Sequence, residues 1–208
     1  MKKCVIVGGA EIKDYDRARS FIDEGDYVIY CDCGLRHLEG LGSEPDLIIG
    51  DFDSYDDPHA ACETITLPHI KDDTDTGYAA KEAVKRGYDE CVLLGASGGR
   101  FDHTTGNVSL LLMLDEAGVK AILADDYCEM EVLSGDEKEI PASYPYFSLL
   151  AVFGKADGVY IKDALYPLDN ASISPDFQLG ISNEVLSGKT ARVRITGGKM
   201  LLVKVVRP

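Results

Sequence analysis

Two carboxylates two residues apart, Asp51 and Asp53 in Gly50-Asp51-Phe52-Asp53-Ser54, follow the apolar run Leu47-Ile48-Ile49. The run reads as a short buried strand, which places the pair at a strand's C-terminal end, where open α/β sheets bind ligands. Hard oxygen donors clustered there suit Mg²⁺ shared with substrate phosphates. The same residues also make an ordinary Asx-turn. Further polar clusters end other strand-like runs. Asp32 and Gly34 follow a second strand, Asp46 precedes the third, and Lys71-Asp72-Asp73-Thr74-Asp75 opens a helix. Thr74 is the expected N-cap of that helix, and the surplus of Asp around it suits contact with a metal. Gly95-Ala96-Ser97-Gly98-Gly99-Arg100 leads into another helix, followed by Asp102 and His103. Glycine amides, a helix start and a guanidinium fork fit phosphate oxygens. The alternative is a flexible loop in which Arg100 pairs with Asp102. No Walker A pattern is present. His103 is a candidate base or a capping residue. In the second half, Ser182-Asn183-Glu184 reads as a turn, and Tyr166 as a buried ring or a stacking platform.

These residues need an open sheet to bring them together. Strands are expected at Val5–Val7, Tyr27–Cys31, Leu47–Ile49, Thr64–Leu67, Cys91–Leu94 and Val119–Leu123. Helices are expected at Tyr15–Glu24, Gly34–Leu41, Thr74–Arg86 and His103–Glu116, the last ended by Gly118. Such alternation predicts an α/β N-terminal domain, residues 1–125, with a largely parallel, Rossmann-like sheet. After it the pattern changes to short alternating runs separated by turn residues: Glu129–Leu133, Phe147–Phe153, Gly158–Ile161, Ala191–Ile195 and Leu201–Val206. Residues 126–208 therefore read as an all-β sandwich or jelly-roll-like domain.

The 208 residues carry 21 Lys+Arg against 36 Asp+Glu, a net charge of -15. A surface of that sign repels nucleic acid and anionic membranes. Met1-Lys2-Lys3 leads directly into a strand with no signal peptide, and no apolar run is long enough for a membrane span. The six cysteines lack paired C-x-x-C spacing, so reduced thiols in a cytoplasmic protein are expected. Cys31 and Cys33 flank Asp32.

Taken in order, Asp32-Cys33-Gly34, Pro45 to Ser54, Lys71 to Asp75, Gly98 to His103 with Asn107, Tyr166-Pro167-Leu168 and Ser182-Asn183-Glu184 resemble the thiamin pyrophosphokinase family. The resemblance spans nearly the whole chain. It implies transfer of a diphosphoryl group from ATP to the thiamin hydroxyl, giving thiamin diphosphate and AMP. It implies a homodimer with thiamin bound between subunits, and Mg²⁺ held by Asp32, Asp51, Asp53 and Asp75. It assigns catalysis to Asp51, Asp53, Asp75 and Arg100. The ATP and its phosphates fall to Asp32, Gly34, Ser54, Lys71, Thr74, Gly98, Gly99, Arg100, Asp102 and His103. Thiamin falls to Tyr166, Ser182 and Asn183. Tyr166 stands where eukaryotic members carry Trp, and Cys33 where Ala is common. A pterin or another hydroxymethyl heterocycle as acceptor, or a sensor that binds without turnover, are the alternatives.

Overall fold

The computed structural model describes residues 2–52, 62–70 and 72–207, so Asp53, Ser54 and Lys71 lie outside the described residues. The chain divides into two compact units, Met1–Asp126 and Tyr127–Pro208.

In the first unit the elements are β1 (Lys3–Val7), α1 (Tyr15–Arg19), β2 (Tyr27–Cys31), a 3₁₀ segment (Asp32–His37), α2 (Leu38–Leu41), β3 (Leu47–Gly50) and β4 (Glu63–Thr66). They continue with α3 (Asp75–Lys85), β5 (Glu90–Leu94), α4 (Phe101–Glu116) and β6 (Lys120–Ala124). The strands lie side by side in the order β6-β5-β1-β2-β3-β4, and every pairing is parallel. Parallel strands covered on both faces read as unbroken apolar runs rather than alternating ones. Val5 and Val7 join a core with Val28, Tyr30, Ile48, Val92 and Leu94, covered by Ala18 of α1, Leu35 and Leu41. Cys4 and Ile6 point the other way and are equally buried. α3 packs on β1, β2 and β3.

The strand order reverses at β1. From there β2 to β4 run out on one side and β5 and β6 on the other. The loops leaving β1 and β5 diverge at this point, and ligands bind in the crevice so formed. The two loops touch through glycine: a Cβ on Gly8 would stand 2.6 Å from the Gly95 carbonyl oxygen.

Two helices differ from the sequence expectation. α1 stops at Arg19, not Glu24, because the Ser20 hydroxyl donates to the Arg17 carbonyl (2.6 Å) and takes the helix's acceptor for itself. The Gly34–Leu41 helix is a 3₁₀ segment followed by one α-turn. α4 ends as expected, with Gly118 at φ 78° just beyond its C-cap.

The second unit is built of antiparallel strands: β7 (Cys128–Leu133), β8 (Lys138–Pro141), β9 (Tyr146–Leu150), β10 (Ala156–Lys162), β11 (Leu168–Ile173), β12 (Gly180–Asn183), β13 (Thr190–Arg194) and β14 (Met200–Val205). They form two layers, β12-β9-β14-β7 and β11-β10-β13-β8. Leu133, Phe147, Leu149, Met200 and Leu202 of one layer interdigitate with Ile140, Val159, Ile161, Ile173, Ala191 and Val193 of the other. This is a sandwich core. β8, β11 and β12 were invisible in the sequence. β11 carries Asp169, Asn170 and Ser172, poor strand formers; it pairs with β10 through an irregular register in which Asn170 adopts φ 54°.

Candidate active site

Several C-terminal strand ends of the parallel sheet deliver polar groups to one cavity of about 680 Å³. Asp32 follows β2, Asp51 follows β3, and Asp75 opens α3. Gly95, Gly98, Gly99 and Arg100 follow β5.

Asp32, Asp51 and Asp75 come together here: one carboxylate oxygen from each lies within 4.8 Å of the others. Asp32 is buried and adopts φ 27°, a left-handed conformation unusual for a non-glycine residue. Such conformations persist where the surroundings over-determine them, commonly at ligand sites. The 3₁₀ turn that carries it is pressed against β1, and a Cβ on Gly34 would stand 2.2 Å from the Val7 carbonyl oxygen. Gly34 therefore serves the site through backbone approach. Two carboxylates about 4 Å apart repel by about 4 kcal/mol at an effective dielectric near 20. Three hard oxygen donors at this separation fit a divalent cation such as Mg²⁺, which relieves that repulsion.

The surrounding groups fix these ligands. Thr74 caps α3, its Oγ1 accepting the Gly77 N–H (3.0 Å), as the sequence predicted. Asp73 turns aside from the triad. It accepts the Thr74 N–H (2.9 Å) and pairs with Lys81 (2.6 Å). Cys33 Sγ donates to Asp32 Oδ2 at 3.4 Å. His37 ties the 3₁₀ segment down, bonding through Nε2 to the Ala10 carbonyl (2.9 Å) and through Nδ1 to the Tyr15 hydroxyl (2.8 Å). With Nε2 donating to the carbonyl, Nδ1 accepts from Tyr15. Burial pushes the His37 pKa down against the raising effect of the Ala10 carbonyl, and the Arg36 charge lowers it further.

The glycine-rich loop differs from the expectation of open phosphate donors. The Gly98 N–H donates to Thr104 Oγ1 (3.0 Å), and the Arg100 guanidinium is held by Asp102 (2.6 Å). The Arg100 hydrogen bond, with the His103 N–H behind it, pulls the Asp102 pKa down to about 2. Both side chains are exposed, so the pair is exchangeable for a stronger anion. Asp102 thus meets Arg100 rather than the carboxylate triad. Gly99 at φ 64°, Arg100 and His103 do line the cavity.

Several site residues escaped the sequence reading. His69 lies with Nδ1 3.9 Å from Asp51 Oδ2, and Arg36 lines the same wall. Neither had a spacing that marked it. Asp125 and Asp126 did carry a signal, an acidic pair at the end of β6. Asp126 accepts the backbone N–H groups of Lys13 (3.0 Å) and Asp14 (2.9 Å). Asp125 accepts the Ser97 hydroxyl. Asn107 donates to the Ala96 carbonyl (2.7 Å) from a buried position in α4. Together these bonds set the β1 and β5 loops around the cavity.

In the second unit, Asn183 is buried and grips Tyr166 through both ends of its amide. Tyr166 itself is 60% exposed, so it is a presented ring and not a core one. The Ser182 N–H donates to Ser148 Oγ (3.0 Å), and Ser182 adopts φ 55°.

The thiamin pyrophosphokinase catalytic-domain model matches residues 18–123, and the family's vitamin B1 binding-domain model matches residues 136–200. The chain belongs to the thiamin pyrophosphokinase family. Its carboxylate triad lies inside the family's catalytic domain, and Tyr166, Ser182 and Asn183 lie inside the vitamin-binding domain. A thiamine pyrophosphokinase of Bacillus subtilis is 27% identical over 91% of this chain and 92% of the relative. The crystal structure of thiamine pyrophosphokinase from Bacillus subtilis superposes with a TM-score of 0.87 at 25% identity, covering 98% of this chain and 99% of that one. A thiamin pyrophosphokinase from Geobacillus thermodenitrificans gives 0.84 at 26% identity, over 98% and 97%. Among the described residues, no helix of this family member is long and apolar enough to cross a membrane.

Proposed function

We propose that this chain is a thiamin diphosphokinase, transferring a diphosphoryl group from ATP to the primary hydroxyl of thiamin and releasing thiamin diphosphate and AMP. The observation that carries the reading is the Asp32–Asp51–Asp75 triad at the strand ends of a matched catalytic domain that is joined to a matched vitamin B1 binding domain. The β-rich unit alone would suit a sensor. A sensor, however, needs no metal-binding carboxylates in a cavity large enough for a nucleotide. We read the parallel unit as Rossmann-like and the two-layered unit as jelly-roll-like.

Mg²⁺ is the cofactor, held by Asp32, Asp51 and Asp75, with Asp53 as the fourth carboxylate. It neutralises charge on the phosphate oxygens. The chain's own residues do the positioning that such transfers depend on. Arg100 exchanges Asp102 for a phosphate oxygen, with Lys71, the Gly99 backbone and the α4 start completing the anion cradle. Ser54, Thr74 and His103 border the nucleotide. His69, beside Asp51, belongs to the same wall. Asn183 orients Tyr166, whose exposed ring stacks on thiamin, and Ser182 borders the same ligand.

A homodimer with thiamin bound between subunits is part of the reading. Leu165, Phe177, Leu179, Ile181 and Leu186 are exposed apolar residues near the β12 edge, and Tyr166 stands beside Leu165. An apolar edge strand calls for a cover, and a second copy supplies one. The six free cysteines support a cytoplasmic location.

The test is AMP release from ATP and Mg²⁺ with thiamin, with a hydroxymethylpterin, and with no acceptor. Thiamin-dependent AMP release is expected. Release with the pterin alone moves the acceptor assignment, and no release with either leaves the sensor reading.

A further inference from the structure

Arg36 lines the carboxylate cavity from the loop after β2, and Arg100 lines it from the loop after β5. β2 and β5 flank β1 on opposite sides, so the two guanidinium groups stand on opposite walls of the crevice. The 3₁₀ register explains why Arg36 faces inward. At three residues per turn, positions i and i+3 eclipse, so Arg36 lies in line with Cys33. Both line the cavity, while Leu35 and His37, on either side of Arg36 in the chain, are buried.

The two arginines differ in what already holds them. Arg100 is paired with Asp102 at 2.6 Å. Arg36 makes no hydrogen bond or ion pair among the described residues, although Glu11, Asp32, Asp51 and Asp75 line the same cavity. An anion that reaches Arg100 must displace a carboxylate first. One that reaches Arg36 displaces only water.

The backbone beneath Arg36 is fixed. The next residue, His37, is bonded through both ring nitrogens, to the Ala10 carbonyl (2.9 Å) and the Tyr15 hydroxyl (2.8 Å). The β1 loop presses on the same turn, since a Cβ on Gly9 would stand 2.5 Å from Cys33 Cβ. A donor on a rigid turn gives up only its own side-chain freedom on binding. Asp32, which opens this turn, belongs to the triad that fits Mg²⁺, and Mg²⁺ brings phosphate oxygens with it. We propose that Arg36 is a nucleotide-binding residue whose guanidinium takes a phosphate oxygen of ATP on the β2 wall, across the crevice from Arg100. This rests on the diphosphokinase reading and adds to it the group that sets ground-state affinity for the nucleotide.

The test is calorimetric titration of the full chain with ATP and with inorganic triphosphate, in Mg²⁺ and without thiamin. Arg36→Ala is expected to weaken both probes about ten-fold, as loss of a charge-assisted contact requires. Arg36→Lys keeps the charge but not the planar fork and weakens them about three-fold. The Tm of Arg36→Ala stays at the wild-type value, which separates lost binding from lost folding. In turnover, the KM for ATP rises about ten-fold in Arg36→Ala while the KM for thiamin is unchanged. Unchanged affinity for both probes overturns the proposal. Loss for ATP alone overturns it in favour of a guanidinium stacked on the base. Absence of ATP binding to the wild type overturns it together with the diphosphokinase reading. ATP binding that Arg36→Ala weakens, in a wild type that releases no AMP with thiamin, upholds Arg36 and removes that reading alone.

Discussion

The amide of Asn183 closes a two-point clamp on the backbone of Tyr166. Its Oδ1 accepts the Tyr166 N–H at 3.0 Å, and its Nδ2 donates to the Tyr166 carbonyl at 2.7 Å. Oδ1 also accepts the Glu184 N–H at 2.9 Å. A buried amide so engaged acts by holding the ring next to it. Leaving its partners unsatisfied costs about 1–3 kcal/mol. Asn183→Ala is therefore expected to raise the KM for thiamin roughly ten-fold with little change in the KM for ATP. Tyr166→Ala should raise the thiamin KM by a smaller factor, since stacking contributes about 0.5–1.5 kcal/mol. Steady-state kinetics with each substrate varied separately decide both. An unchanged thiamin KM in Tyr166→Ala removes the ring from the site.

Asp51→Asn is expected to lower kcat by on the order of 10²-fold or more through lost metal-dependent charge stabilisation. Asp53→Asn should do the same. Without metal, Asp51→Asn should melt at or above the wild-type temperature, because one member of a repelling triad is neutral. Mg²⁺ should raise the wild-type Tm and shift the variant less. Paired melting curves with Mg²⁺ and with EDTA check this independently of turnover. Equal Mg²⁺ shifts in the two proteins would count against the triad as the metal site.

Gly34→Ala places a methyl 2.2 Å from the Val7 carbonyl oxygen, a backbone atom that cannot swing aside. The variant is expected to lose about 1–3 kcal/mol of stability. It should also lose activity, because the 3₁₀ turn that moves carries Asp32. Denaturant unfolding measures the first effect and kcat the second.

His37 makes stability pH-dependent. Its folded pKa is depressed by burial, so the unfolded chain takes up a proton first as the pH falls. The stability it confers is complete above the unfolded value of about 6.5. It is lost as the pH drops below that value towards the folded pKa. Tm is expected to decline between pH 7 and 5.5. His37→Gln, which keeps a donor for the Ala10 carbonyl, should flatten that part of the profile. An identical slope in both proteins assigns the decline to other groups.

The parallel half of this fold was legible because its strands are buried on both faces and read as unbroken apolar runs, as at Cys4–Val7 and Leu47–Ile49. The site was legible because acidic and glycine-rich segments recur after those runs. Thr74 was readable as a cap from its own neighbours. β12 was not, since its strand state comes from β9, far back in the sequence, and β11 was not, because its polar residues give no strand signal until β10 pairs with it.

By itself the amino-acid order determined which residues stand at strand ends and hence that Asp32, Asp51 and Asp75 share one edge. Tertiary structure alone decided which of the many neighbouring carboxylates converge. Asp73 was drawn off by Lys81 and Asp102 by Arg100, while Asp125 and Asp126 were committed to loops. Local sequence sets backbone conformation over a few residues. The direction a carboxylate faces depends on which cation or N–H group the fold brings within about 3 Å of it.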